Sequence, residues 1–390
     1  MTKFDFETAP DRRNTDSIKW DVESGQLPMW IADMDFKTAP AIIEAMKKKI
    51  ELQAFGYEWP RKDYFDAVKK WYKEEHQAVI ESDWMIFSTG VIPALSSIVR
   101  RVSHIGDNVV VQEPVYNIFY NSIENNGRHV LSNNLIPRTD HYEIDWADLE
   151  AKLANPLTTL MIFCNPHNPI GQVWTKEEVQ KIAELCHKHH VTLVSDEIHG
   201  DLVRYGEDYT PAFSVKGHAK DAVISLVSPS KTFNVAALHA ATAIVPDKNL
   251  RQIVERGINS DEVAEPNLLA IPGTIAAYTK GHEWLKELKV QLNENFNYAI
   301  DTISEKLPDL KVESGPATYL MWINISKITE DSEEFTAFLK EKTGLIVSSG
   351  AIYRGDGNKF IRINLACPLP MVKDGLKQLE RGVALYSKNN

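Results

Sequence analysis

"TLMIFCNPHNPIGQVWTKEEVQKIAELCHKHHVTLVSD", residues 159–196, holds a strand, a rigid turn, a helix and a second strand in direct succession. "TLMIFC" (159–164) is an apolar run too short for a helix; a run of that length bounded by turn residues reads as a buried strand. Two Asn-Pro pairs and a glycine in "NPHNPIG" (165–171) force a turn. Thr175 and Glu178 then have the spacing of a capping box, and Val179, Ile182, Ala183 and Cys186 follow the period of one helix face. "VTLVS" (191–195) is β-branched and again strand-like. Apolar strands alternating with amphipathic helices predict a mostly parallel sheet covered on both faces.

The same alternation extends in both directions. "MIFST" (85–89) precedes the helical pattern "IPALSSIVRRV" (92–102), and "NVVVQE" (108–113), "AVISLV" (222–227) and "ATAIV" (241–245) are further strands. Near residue 281 the pattern changes. A long helical stretch (283–307) is followed by the strand "TYLMWINI" (318–325), the helix "DSEEFTAFLKEKT" (331–343) and the strand "FIRINLA" (360–366). The expectation is α/β architecture: a large domain over residues 40–281, and a smaller α+β domain from residues 1–39 and 282–390. The first 40 or so residues are irregular and are expected to pack against the smaller lobe.

The chain has 390 residues, 43% apolar and 25% charged, with a net charge of −11. An acidic balance argues against nucleic acid or an anionic membrane as the main partner. No apolar run approaches the roughly 20 residues of a membrane span, and the polar start "MTKFDFETAPDRRNTDSIKWD" has no apolar signal region. Cys164, Cys186 and Cys367 form no C-x-x-C pair, so a cytoplasmic location is expected. "HKHH" (187–190) ends a helix, where histidines suit the helix dipole, so no metal is expected there.

Ligands of open α/β sheets bind outside the carboxyl ends of the strands, and five features gather there. Asp196 ends an apolar strand; it is either a structural ion pair or cap, or a buried acid serving a ligand. Lys231 follows another strand among Ser228, Ser230 and Thr232; it either snorkels to water or acts as a desolvated amine nucleophile. Asn168 in the Asn-Pro turn either serves the turn or points an amide at a ligand. Gly90 in "STGVIPALS" (88–96) opens a helix whose free N–H groups suit an anion. Arg362, inside an apolar strand, calls for a carboxylate, internal or from a substrate. Together these are the parts that pyridoxal phosphate chemistry requires.

The order Gly90, Tyr116, Asn168, Asp196, Lys231, Arg362 resembles the fold type I pyridoxal-phosphate enzymes, the aspartate aminotransferase superfamily. Within it, "TDSIKWD" (15–21), "MWIADMDF" (29–36), "FGYEWP" (55–60), "NPHNPIGQVW" (165–174), "SDEIHGDL" (195–202), "SPSKTFNVA" (228–236) and "RINLACP" (362–368) resemble the MalY/PatB group of cystathionine β-lyases. The resemblance runs nearly end to end. It implies a mostly parallel seven-stranded sheet flanked by helices, with pyridoxal 5'-phosphate as cofactor. Lys231 would bond the cofactor aldehyde and serve as the α-proton base. Asp196 would pair with the pyridine nitrogen, and Asn168 would bond the 3-hydroxyl. Tyr116 would stack on the ring and border the substrate. Gly90, Val91 and Ile92 amides, with Ser228 and Ser230, would hold the phosphate. Tyr57 would reach the phosphate of the other subunit, which implies a homodimer with shared sites. Arg362 would clamp the substrate carboxylate, and His199 would lie near the 3-hydroxyl.

His199 stands where aminotransferases usually carry tyrosine, and His239 where they often carry a phosphate-binding arginine. Both substitutions resemble the carbon–sulfur lyases. The expected activity is therefore α,β-elimination of L-cystathionine or a related cysteine S-conjugate to a thiol, pyruvate and ammonia. The alternative is an aminotransferase acting on an amino acid and a keto acid. A regulator using this fold would resemble transcription factors with an added helix-turn-helix domain, but the 40 or so residues before the large domain are not basic. Two positions depart from the group: Ala237 replaces a common glycine, and Leu369 a usual arginine.

Overall fold

The computed structural model describes residues 3–139, 141–204 and 208–389. Seven strands form the central sheet: β1 (Met85–Ser88), β2 (Asn108–Glu113), β3 (His129–Asn134), β4 (Thr158–Cys164), β5 (Thr192–Asp196), β6 (Val223–Val227) and β7 (Ala241–Ile244). Their spatial order is β1-β7-β6-β5-β4-β2-β3. All neighbours run parallel except β7, which is antiparallel to both β1 and β6. The expected mostly parallel, seven-stranded sheet is thus the one observed.

The pleat explains why these strands read as continuous apolar runs. Val109, Val111, Leu160 and Ile162 enter one apolar cluster, while Val110, Met161 and Phe163 enter another on the opposite face. Alternate side chains point to opposite faces, and both faces are roofed. Helix α1 (Val91–Val102) covers the first face with Leu95 and Ile98. Helix α2 (Lys176–Lys188) covers the second with Val179, Ile182, Ala183 and Cys186, all fully buried. Burying Val179 and Ile182 contributes about 1.5–3 kcal/mol each. The Thr175 hydroxyl accepts from Glu178 N (3.2 Å) while Glu178 Oε2 accepts from Thr175 N (2.8 Å), which closes the capping box.

After the long helix α3 (His282–Lys306) comes a second, four-stranded sheet: β8 (Lys311–Val312), β9 (Leu320–Asn324), β10 (Ser348–Ser349) and β11 (Phe360–Asn364), ordered β8-β9-β11-β10. Strand β9 starts at Leu320, not Thr318. Thr318 has φ 66°, which interrupts the extended run that its sequence suggested.

The N-terminal segment ties the two sheets together. Leu27–Pro28 pairs in parallel with Leu345–Ile346, and Leu27 and Met29 enter the apolar cluster of the small sheet. Met34 and Phe36 instead join the cluster around Trp71 and Phe233. The segment therefore packs both on the small sheet and on the cluster around Trp71 and Phe233, not on the former alone. Between those anchors, the Ala32 carbonyl accepts from Lys231, which follows the carboxyl end of β6.

Candidate active site

Strands β4, β5 and β6 end at Cys164, Asp196 and Val227, and parallel register sets Cys164 beside Asp196. The residues that follow these ends face one cavity of about 270 Å³. Gly90, Val91, Ile92, Tyr116, Asn168, Asp196, His199, Ser230 and Lys231 line it. A larger cleft of about 800 Å³ is bounded by residues of the 13–25 loop alone and takes in none of these groups.

Lys231 Nζ donates to the Ala32 carbonyl at 2.6 Å. Burial pushes its amine down to about 8; nearby Asp33 and Asp196 oppose that shift and Arg362 adds to it. Asp196 is buried and its carboxyl is pushed up to about 6 by desolvation, against the Ile198 N–H it accepts (3.1 Å) and the charge of Lys231. No basic side chain lies within ion-pair distance of it among the described residues, so a structural ion pair does not account for its burial. His199 is 3% exposed with no partner for Nδ1. Burial and the cations Lys231 and Arg362 push its ring down to about 3, so it is neutral near pH 7.

Arg362 comes from the middle of β11 and is 5% exposed. Nη1 donates to Asn168 Oδ1 (3.0 Å) and Nη2 to the Trp30 carbonyl (3.0 Å), while Nε has no partner among the described residues. A buried guanidinium without a carboxylate among the described residues carries an uncompensated charge. It suits an anionic ligand. Because Asn168 gives its oxygen to Arg362, its amide nitrogen remains for a ligand.

Helix α1 opens directly on the cavity. Gly90 is its N-cap, with φ 152° and no side-chain cap, so the Val91 and Ile92 N–H groups stay available to an anion. Ser230 stands beside them. Ser228 lies behind it: its hydroxyl bonds the Ala240 carbonyl (2.7 Å) and Ser230 Oγ, and it does not line the cavity. Tyr57 is 98% exposed and lies away from the cavity of its own chain.

Several wall residues were not singled out as site residues. Cys164 forms part of the wall, its thiol pushed far up by burial and by Asp196. His239 lines the cavity with φ 49°, beside Ala236. Ala32 contributes a backbone carbonyl; its only signal was membership of the "MWIADMDF" stretch.

The model of the family described as "Aminotransferase class I and II" matches residues 25–379. The chain belongs to the aminotransferase class I and II family. Within this family it is 39% identical to cystathionine beta-lyase PatB of Bacillus subtilis, over 97% of this chain and 100% of that protein. It is 34% identical to protein MalY of Escherichia coli, over 98% of this chain and 97% of that one. Cystalysin from Treponema denticola, whose crystal structure contains a pyridoxal 5'-phosphate cofactor, superposes with a TM-score of 0.94 at 32% identity, covering 98% and 99% of the two chains.

The residues present fit that cofactor. An uncapped helix N-terminus suits its phosphate, and a desolvated amine suits its aldehyde. A buried acid suits its ring nitrogen, and the unpartnered His199 Nδ1 is a polar atom awaiting a ligand.

Proposed function

We propose that this protein is a pyridoxal-phosphate-dependent carbon–sulfur lyase. It eliminates a thiol from L-cystathionine or a related cysteine S-conjugate and releases pyruvate and ammonia. The observation that carries this reading is its near-full-length match to cystathionine β-lyases, with Lys231, Asp196 and Asn168 lining one cavity and Arg362 hydrogen-bonded to Asn168.

When bound, pyridoxal phosphate supplies an aldehyde that bonds amines and a cationic ring that accepts the electron pair left at Cα. The chain's own groups do the rest. Val91 and Ile92 N–H groups and the Ser230 hydroxyl would hold the phosphate. Asp196 would keep the ring nitrogen protonated, and the Asn168 amide nitrogen would bond the 3-hydroxyl. Tyr116 would cover the ring face. Arg362 would bind the substrate carboxylate through Nε and the free faces of its Nη groups, held in place by Asn168 and Trp30. The free Lys231 amine would take the Cα proton. The Cβ–S bond breaks with its electron pair on sulfur, and a proton makes the thiol. Water then releases ammonia and leaves pyruvate.

The protein works as a cytoplasmic homodimer in this reading, with Tyr57 completing the phosphate site of its partner. Support comes from the exposed run of Leu52 (67%), Phe55 (72%), Tyr57 (98%) and Trp59 (69%), apolar surface that a monomer leaves in water. The division into lobes at residues 40 and 281 belongs to the same reading.

The test is incubation of purified protein with L-cystathionine and no keto acid. Pyruvate and free thiol should accumulate together. A strict keto-acid requirement with no thiol released would overturn the lyase reading in favour of transamination.

A further inference from the structure

Two donors converge on one oxygen atom, the Ala32 carbonyl, and one of them has no role above. Tyr319 is fully buried and its hydroxyl donates to the Ala32 carbonyl at 2.9 Å. The same oxygen accepts from Lys231 Nζ at 2.6 Å. The strap that carries it cannot easily turn. The Trp30 carbonyl accepts from Arg362, and the Ile31 and Asp33 carbonyls both accept from Asn364 Nδ2 at 2.6 and 2.7 Å.

The placement of Tyr319 is itself forced. The residue before it, Thr318, is β-branched and sits at φ 66°, a conformation such residues rarely adopt. Thr318 N donates to the Leu202 carbonyl (2.8 Å), and Leu202 N to that of His199 (2.9 Å). The Tyr319 ring lies edge-on to His199, with centroids 6.3 Å apart. Backbone strain held by its surroundings marks sites where position matters for function.

The geometry points to Tyr319 as a positioning residue: by donating to the carbonyl that receives the Lys231 amine, it sets where the free amine rests and how readily that amine takes a proton. This rests on the reading of Lys231 as the base. A hydroxyl sharing the acceptor draws density from the oxygen and weakens its hold on an ammonium. Tyr319 thereby favours the neutral amine, the form that accepts the Cα proton. The other ionisable groups around the amine are Asp33, Asp196, Arg362 and His199.

Tyr319→Phe removes one oxygen and leaves the ring packing intact. Full-length protein stripped of cofactor is labelled competitively with acetic anhydride across pH, and Lys231 is read by peptide mass. The labelling midpoint should rise by about one pH unit in the variant. In the holoenzyme, kcat should fall about ten- to a hundred-fold with KM within about twofold. 3-Fluorotyrosine at position 319, a stronger donor of the same shape, should move the midpoint the opposite way, which keeps the test alive if the phenylalanine variant folds poorly. An unmoved midpoint in the folded variants overturns the proposal, as does an unchanged kcat. The labelling does not depend on which reaction is catalysed, so wild-type protein that releases no pyruvate sinks the lyase reading without touching this one.

Discussion

Arg362 shows how much a single side chain can reveal before and after folding. An arginine within an apolar strand announced a carboxylate, but it left open whether that carboxylate was internal. The structure supplies amide, hydroxyl and carbonyl partners and no acid among the described residues, with Nε unpartnered. Arg362→Lys keeps the charge and loses the planar fork. Losing one charge-assisted hydrogen bond costs about 1.5–3 kcal/mol, so steady-state kinetics should show kcat/KM falling about ten- to a hundred-fold. Unchanged kcat/KM would remove Arg362 from substrate binding. Other residues were mute in the sequence for identifiable reasons. Ala32 acts through its backbone oxygen, which any residue type carries. Tyr319 depends on the φ of Thr318, which no propensity encodes. The two departures from the family pattern also find an explanation. Ala237 is exposed in a short turn, and positive φ falls at Asn234 and His239 instead, so glycine is not needed there. Leu369 packs against the apolar cluster of the small sheet.

At the level of elements, the α/β alternation was readable because six of the seven strands are buried over nearly their whole length and the covering helices α1 and α2 keep apolar stripes, whereas the edge strand β3 buries only Asn133 and has no apolar run to announce it. The capping box of α2 and its four buried positions appear as the spacing implied. What spacing could not convey was direction: β7 is as apolar as its neighbours, yet runs antiparallel to both. Nor could it separate Ser228 from Ser230, because one hydroxyl is spent on the Ala240 carbonyl. The junction of β1 and α1 is the element most exposed to a small change. A Cβ at Gly90 would lie 3.1 Å from Pro93 Cδ, at a φ of 152° that side chains rarely adopt. Gly90→Ala should cost about 1–3 kcal/mol of stability in urea unfolding. It should also loosen cofactor binding, measured by absorbance titration, because the Val91 and Ile92 N–H groups would shift. Wild-type cofactor affinity in this variant would show that the helix terminus is not the phosphate site.

Across the whole molecule, Tyr57 stands well away from the cavity, among the most exposed aromatic residues of the chain. Sequence reasoning placed it by resemblance, since nothing in a single chain brings it to the cavity. Trp59→Asp puts a charge into that exposed apolar run. Sedimentation should then show monomer where wild type shows dimer, with cofactor retention weakened in parallel. A wild type that sediments as a monomer would dispose of the shared site altogether.

The strap over Lys231 also has a consequence for when the enzyme comes into being. The Ile31 carbonyl that steadies it accepts from Asn364, 333 positions further along the chain, and Asp35 N reaches the Ala366 carbonyl. A nascent chain leaves the ribosome with its amino end first. The segment that roofs the lysine is thus made more than 300 residues before the partners that dock it. Sheet, lysine and acid can all be in place while the roof still waits for Asn364 and Ala366, so completion of the pocket follows their emergence.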